Sequence, residues 1–288
     1  MAGPRWMTSA PPAEPKRFDW RNLGLRALSA AVLIPVALAA VGAGGWLLLV
    51  VLATATAVLS LEWGRMAAAP APTRAGSAVL VGVLAALFTA YLGWPRAAWI
   101  SLAVAAAVVA LLARAFRLTP RPADTGFGVL YLGAPMLALW WLRLGDGVGF
   151  AWTVLMLVIA WSADSAAFLV GSWLKGPKLW PRFSPNKTWS GFWAGLAAGV
   201  LAALAAAALL RPWGGPGVQP AMAVGFVGAL ATMGGDLLES MLKRRFGVKD
   251  SGDLIPGHGG LLDRVDGMMM CALVMAGARL LHQAGVLR

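Results

Sequence analysis

The sequence predicts an all-α polytopic integral membrane protein with about nine transmembrane helices and a cytoplasmic N-terminus. Three observations lead there. Hydrophobic residues make up 59% of the 288 residues and charged residues 12%, about half the charged share of a soluble domain. Apolar runs of the ~20 residues that a bilayer crossing requires recur along the whole chain. Basic residues gather in alternate connecting segments, as the positive-inside rule demands. This composition excludes a disordered chain, a disulfide-rich secreted scaffold and an ordinary cytosolic enzyme. The single cysteine, Cys271, excludes an internal disulfide and a multi-cysteine metal site.

Residues 1–24 are polar and proline-rich (Pro4, Pro11, Pro12, Pro15) and read as a flexible cytoplasmic tail. The run that follows could pass for a signal-peptide core, but a second apolar run begins at once from Gly44, which favours a retained helix. A sliding window places spans near 25–43, 44–63, 77–94, 96–113, 126–144, 148–171, 190–210, 218–242 and 265–284. Residues 25–147 form an N-terminal set of transmembrane helices, and 148–288 a C-terminal catalytic region with cytoplasmic loops 171–189 and 243–264. With the N-terminus inside, 19 of the 24 Lys and Arg residues fall on the cytoplasmic side; Arg96, Arg143, Arg211, Arg279 and Arg288 are left outside. This asymmetry, with anionic lipid headgroups as neighbours, accounts for the net charge of +12 without nucleic acid, because no basic stretch is long or interleaved with aromatics.

The acids point to a site. Six of the twelve, Asp236, Glu239, Asp250, Asp253, Asp263 and Asp266, lie close together near the C-terminus, and Asp164 sits inside the sixth span. Ionisable groups within spans are costly and mark function, although snorkelling or helix capping is the plainer account of any one of them. Asp236, Glu239, Ser240 and Lys243 share one helix face by their spacing. Asp263 and Asp266 would open the last span, where the helix dipole alone also favours acids. Between these helices, Lys243, Arg244, Arg245 and Lys249 supply cations. Gly252, Gly257, Gly259 and Gly260 let backbone N–H groups approach an anion, and His258 sits among them. Carboxylates beside cations and glycines suit a Mg²⁺ and polyphosphate site; soft ligands for zinc and a P-loop motif are both lacking. The loop 171–189, with Lys175, Lys178, Arg182, Ser184, Lys187 and Thr188, is a second anion-contacting surface or only a determinant of topology.

The stretch from Ser240 to Asp266 closely resembles the defining motif of the phosphatidate cytidylyltransferase (CDP-diacylglycerol synthase) family, S-x-[apolar]-K-R-x4-K-D-x-G-x2-[apolar]-P-x-H-G-G-[apolar]-x-D-R-x-D. Ser240, Lys243, Arg244, Lys249, Asp250, Gly252, Pro256, His258, Gly259, Gly260, Asp263, Arg264 and Asp266 fill its fixed positions. Upstream, Gly235 to Ser240, Ser184 to Thr188 and Asp164 are similar to further family segments, whereas the first five spans match only in hydropathy. The resemblance implies an integral inner-membrane enzyme that joins CTP and phosphatidic acid from the cytoplasmic leaflet into CDP-diacylglycerol and pyrophosphate. It implies that Asp236 and Asp263 hold the catalytic Mg²⁺, with Asp266 at a possible second cation. It further implies that Lys243, Arg244, Lys249 and Arg264 contact CTP phosphates, and that Ser184, Lys187 and Thr188 contact nucleotide or lipid phosphate. Ser240, Asp250, Gly259 and Gly260 go with the substrate-binding set, and Asp164 and Glu239 are further candidates. His258 is open to two roles, general acid/base or ordering the loop.

The chemistry is consistent with the residues alone. Two anions must meet, so positive charge is needed at the meeting point, while a phosphate monoester is itself a sufficient nucleophile. Three other readings compete. Asp263-Arg-Val-Asp266-Gly267 superficially resembles the opening of the CDP-alcohol phosphatidyltransferases, but no later acid follows. A CTP-dependent polyprenol or phytol kinase is opposed by the long motif. A secondary transporter would place its charges near the bilayer midplane and repeat its halves, and neither is visible. Gly- and Ala-rich N-terminal helices leave room for a homodimer interface or a lipid entrance.

Overall fold

The computed structural model describes residues 34–68, 70–252 and 259–287. The predicted tail, the first part of the first span and His258 lie outside the described residues. Nine helices are described: α1 (Ile34–Ala43), α2 (Gly45–Ala67), α3 (Pro72–Tyr91), α4 (Pro95–Ala115), α5 (Pro122–Arg143), α6 (Asp146–Leu174), α7 (Trp189–Leu210), α8 (Val218–Phe246) and α9 (Leu262–Gln283). Among the described residues, α2 to α9 are long and apolar enough to cross a membrane. The protein is an all-α polytopic membrane protein.

Local sequence sets the boundaries. Pro72, Pro95 and Pro122 each begin a helix, at the position where the missing N–H costs nothing. Gly247, in the left-handed conformation, ends α8. Thr188 caps α7 by accepting from the Gly191 N–H at 3.2 Å. Two boundaries differ from the sequence expectation. The loop 243–264 is shorter, because α8 runs on through Lys243, Arg244 and Arg245 and α9 begins at Leu262. The loop 171–189 contains a small antiparallel ribbon of β1 (Lys178–Trp180) and β2 (Ser184–Thr188), where only an irregular segment was expected.

Consecutive helices pack as neighbours from α2 to α5 and again from α6 to α9. Two apolar cores result. One is built on α2–α5, with Trp63, Leu59, Val83, Leu102 and Leu132 at its centre; the other is built mainly on α6–α9, with Trp152, Leu155, Ile159, Ala203 and Met275. Helix α9 joins them: Leu262 and Met269 belong to the first core and Cys271 and Met275 to the second. Opposite the motif-bearing end, two arginines tie the bundle together. Arg279 donates to the carbonyls of Trp141, Leu142 and Leu144 at 3.0, 2.7 and 2.7 Å, and Arg143 donates to those of Val41 and Gly42. The C-terminal carbonyls of a helix have no intrahelical partner, so Arg279 satisfies the end of α5 directly.

Candidate active site

The site forms where α8 ends and α9 begins. These helices run antiparallel and approach closely because two glycines face each other's backbone. A Cβ on Gly235 would lie 2.5 Å from the Asp266 carbonyl oxygen, and one on Gly267 would lie 2.8 Å from that of Thr232. The neighbouring carboxylates are thereby drawn together: oxygens of Asp236, Glu239 and Asp266 lie within 4.8 Å of one another. Glu239 is 1% and Asp266 7% exposed, and the Glu239 Oε1 atom is buried with no hydrogen-bond partner. Asp266 Oδ1 accepts from the Gly267 N–H at 2.8 Å.

Two lysines border the cluster. Lys187, on β2, places its Nζ 2.6 Å from Asp236 Oδ2. Lys243, one helical turn beyond Glu239, lies 2.7 Å from Glu239 Oε2 and 2.5 Å from Asp263 Oδ1. Asp263 also accepts from the Ser251 backbone N–H at 3.2 Å and its hydroxyl at 2.9 Å. Two buried carboxylates, Glu239 and Asp266, beside the half-buried Asp236 and with one unpaired oxygen, are costly unless compensated by positive charge. Hard oxygen donors at this spacing fit a Mg²⁺-like cation.

The geometry redistributes the sequence candidates. Glu239 stands in the carboxylate group, while Asp263 is turned to Lys243 and Ser251. Asp263 and Asp266 share a helix face but differ in depth by three residues, about 4.5 Å. In the antiparallel register the deeper one meets Asp236 and Glu239, and the shallower one meets Lys243. Asp164, on α6, is within electrostatic reach of Asp236 and Lys187. Ser184 opens β2 opposite Trp180, and Thr188 also bonds the Ser190 hydroxyl at 3.0 Å. Ser240 is half-buried on α8; Arg244, Lys249, Asp250 and Arg264 are exposed around the site. Gly259 has a positive φ of 81°. A Cβ on Gly260 would lie 1.8 Å from Ser251 Oγ and 3.0 Å from Asp263 Oδ2, so this glycine lets the chain pass against the protein's own carboxylate.

Some contributors escaped the sequence reading. Glu62 of α2 is fully buried and accepts from the Leu261 and Leu262 N–H groups at 2.7 and 2.8 Å. Trp63 beside it donates to the Asp124 carbonyl at 3.1 Å, and the Asp124 carboxylate pairs with Arg245 at 2.6 Å. A carboxylate within the second apolar span was the available signal for Glu62; nothing marked its partner.

A bundle of membrane-crossing helices that concentrates buried carboxylates and lysines at one end is an integral membrane protein with a centre suited to phosphate and divalent cations. The family model described as "Cytidylyltransferase family" matches residues 24–281, and the chain belongs to this family. The chain is also similar to proteins named phosphatidate cytidylyltransferase. It is 45% identical to that of Brucella suis biovar 1 (strain 1330) over 148 residues, 51% of this chain and 54% of the relative. It is 38% identical to that of Bacillus subtilis (strain 168) over 149 residues, 51% and 55% of the two chains. It is 40% identical to that of Mycobacterium leprae (strain TN) over 132 residues, 45% and 40%. The matched stretch thus spans about half the length of these curated relatives.

Proposed function

We propose that this protein is a phosphatidate cytidylyltransferase: it transfers CMP from CTP to phosphatidic acid, giving CDP-diacylglycerol and pyrophosphate. It acts from the inner (plasma) membrane with its site facing the cytoplasm, where the basic loops would lie under the positive-inside rule. The observation that carries the reading is the Asp236–Glu239–Asp266 cluster, bordered by Lys187 and Lys243 at the membrane-end of α8 and α9. The names of the relatives supply the substrates.

In this reading Asp236, Glu239 and Asp266 would hold Mg²⁺, which would supply the positive charge that offsets the triphosphate and the departing pyrophosphate. A phosphate oxygen of the lipid attacks the α-phosphorus of CTP; the bond to the β-phosphate bridging oxygen breaks, and the electron pair leaves with pyrophosphate. No covalent enzyme intermediate is needed. Lys243 is pre-aimed by Glu239 and Asp263, and Ser251 fixes Asp263. The exposed cations Arg244, Lys249 and Arg264 surround the same mouth and draw in the nucleotide. Lys187 brings the β1–β2 ribbon, with Ser184 and Thr188, to the carboxylates, so the ribbon forms the second wall of the anion site.

The test is an assay of purified protein in mixed micelles with phosphatidic acid, labelled CTP and Mg²⁺. The expected result is Mg²⁺-dependent CDP-diacylglycerol with equimolar pyrophosphate. Release of CDP with a phosphorylated polyprenol would replace this reading with a lipid-alcohol kinase. Folded protein that makes neither product would remove it.

A further inference from the structure

Glu62 lies in the N-terminal helices, on none of the sequence motifs, yet both of its carboxylate oxygens are committed to the start of α9. Oε1 accepts from the Leu261 N–H and Oε2 from the Leu262 N–H, across nearly 200 residues of chain. Its side chain also underlies the segment that carries Ser251. A Cβ on Gly252 would lie 3.2 Å from Glu62 Cγ and 3.4 Å from Oε1. Asp263 follows Leu262 directly, and Asp266 is one turn further on. The carboxylate therefore fixes both the rotation and the depth of the turn from which two site residues project.

A bidentate acceptor of this kind does more than cap a helix. The first N–H groups of a helix can be satisfied by water or by a nearby hydroxyl, and a local cap does not tie the helix to a second element. A rigid acceptor on a distant, fully buried position does. From this geometry we infer that Glu62 is a positioning residue for the reaction centre, holding Asp263 and Asp266 in register with Asp236, Glu239 and Lys243. The inference rests on the proposed function for its catalytic readout only. Indirect partners that orient metal-binding groups are typically worth ~10–100-fold in metal affinity or activity.

The experiment uses the full chain in lipid nanodiscs and reads Mn²⁺ binding by electron paramagnetic resonance, kcat, KM for phosphatidic acid, and the melting temperature. Glu62→Gln keeps the size and one oxygen but turns an amide N–H toward one of the two backbone donors. It is expected to weaken Mn²⁺ binding and lower kcat by roughly 10–100-fold each. KM for phosphatidic acid should change less than about twofold, because the hydrogen bonds of Glu62 go to Leu261 and Leu262 and not to Ser184, Lys187 or Thr188 of the proposed anion-contacting ribbon. Glu62→Asp, which retains both oxygens, should recover part of both losses. Thr56→Ala removes the hydroxyl that donates to the Leu52 carbonyl on the same helix, and should leave Mn²⁺ binding and kcat of the folded protein unchanged.

Wild-type Mn²⁺ affinity and kcat in folded Glu62→Gln would overturn the inference. So would losses no greater than the loss of folded protein. Should Glu62→Gln fail to fold, Leu261→Pro approaches the contact from the other side. Position 261 has φ −65°, an angle proline adopts, and the substitution deletes one of the two donors. Loss of Mn²⁺ affinity there supports the inference, and unchanged affinity overturns it. If the wild-type protein makes no CDP-diacylglycerol, the proposed function fails, while Mn²⁺ binding still decides the role of Glu62.

Discussion

The helices α1–α5 and α6–α9 use charge in opposite ways. In α6–α9, carboxylates and lysines face one another around an open-ended centre, and one oxygen of Glu239 is left unpartnered. In α2 and α5, the acids of the same end are tied into structure: Glu62 through both oxygens to two backbone N–H groups, and Asp124 through Oδ1 to Arg245, its Oδ2 being buried without a partner. In the proposed reading the first region would hold charge in reserve for a ligand, and the second would spend it on alignment. A carboxylate in a membrane span marks a candidate for function in both cases, but only its partners distinguish a binding role from a positioning one.

The contrast is most severely tested at Lys243, which serves two carboxylates at once. Lys243→Met strands Glu239 and Asp263 without a cation, and breaking a buried pair in this way costs about 3–5 kcal/mol. A marked drop in melting temperature, together with loss of nucleotidyl transfer, is expected. Asp266→Asn keeps the shape of the cluster and removes a charge. Activity should fall about 10²–10³-fold with a melting temperature near that of the wild type, since relief of like-charge crowding offsets the lost hydrogen-bond strength. Arg279→Leu probes the opposite end, where three carbonyls lose their donor. A stability loss of about 1–3 kcal/mol is expected, with turnover per folded molecule within about twofold of the wild type, measured by thermal unfolding and the transfer assay. Arg245→Ala is the mildest. Its guanidinium is exposed but its partner Asp124 is buried, so the variant leaves that carboxylate without a cation; a stability loss of about 1–2 kcal/mol is expected, only part of which should be screened by salt. A large activity loss in Arg279→Leu, or none in Asp266→Asn, would erase the division of labour between the two regions.

Much of the architecture was legible because hydropathy speaks locally. The spans expected at 190–210 and 218–242 appear as Trp189–Leu210 and Val218–Phe246. The spacing of Asp236, Glu239 and Lys243 likewise defines one helix face by itself. What stayed hidden depends on register between elements. Whether Asp263 or Glu239 joins Asp266 is decided by how far α9 slides along α8, which the close approach at Gly235 and Gly267 sets. The role of Glu62 required knowing that α2 meets the start of α9. The glycines of the motif suggest room for a bound anion, and Gly252 and Gly260 also make room for the side chains of Glu62, Ser251 and Asp263. Sequence pattern showed that a backbone must pass close to something, but not what that something was.

The length of α8 has a kinetic consequence. Its 29 residues extend about 43 Å at 1.5 Å per residue, against a hydrocarbon layer of ~30 Å. Counted from Val218, Asp236 lies about 27 Å along the axis and Lys243 about 37 Å, so with Val218 at one edge of the hydrocarbon layer the carboxylate cluster would fall near the opposite edge, at the phosphate headgroups. In the proposed reaction a lipid would reach that level by lateral diffusion without leaving its leaflet, and the nucleotide would arrive from the water. For the proposed lipid substrate the governing quantity is then its mole fraction in the bilayer. Diluting phosphatidic acid with inert lipid at constant bulk concentration should slow turnover, while diluting whole vesicles with buffer should not.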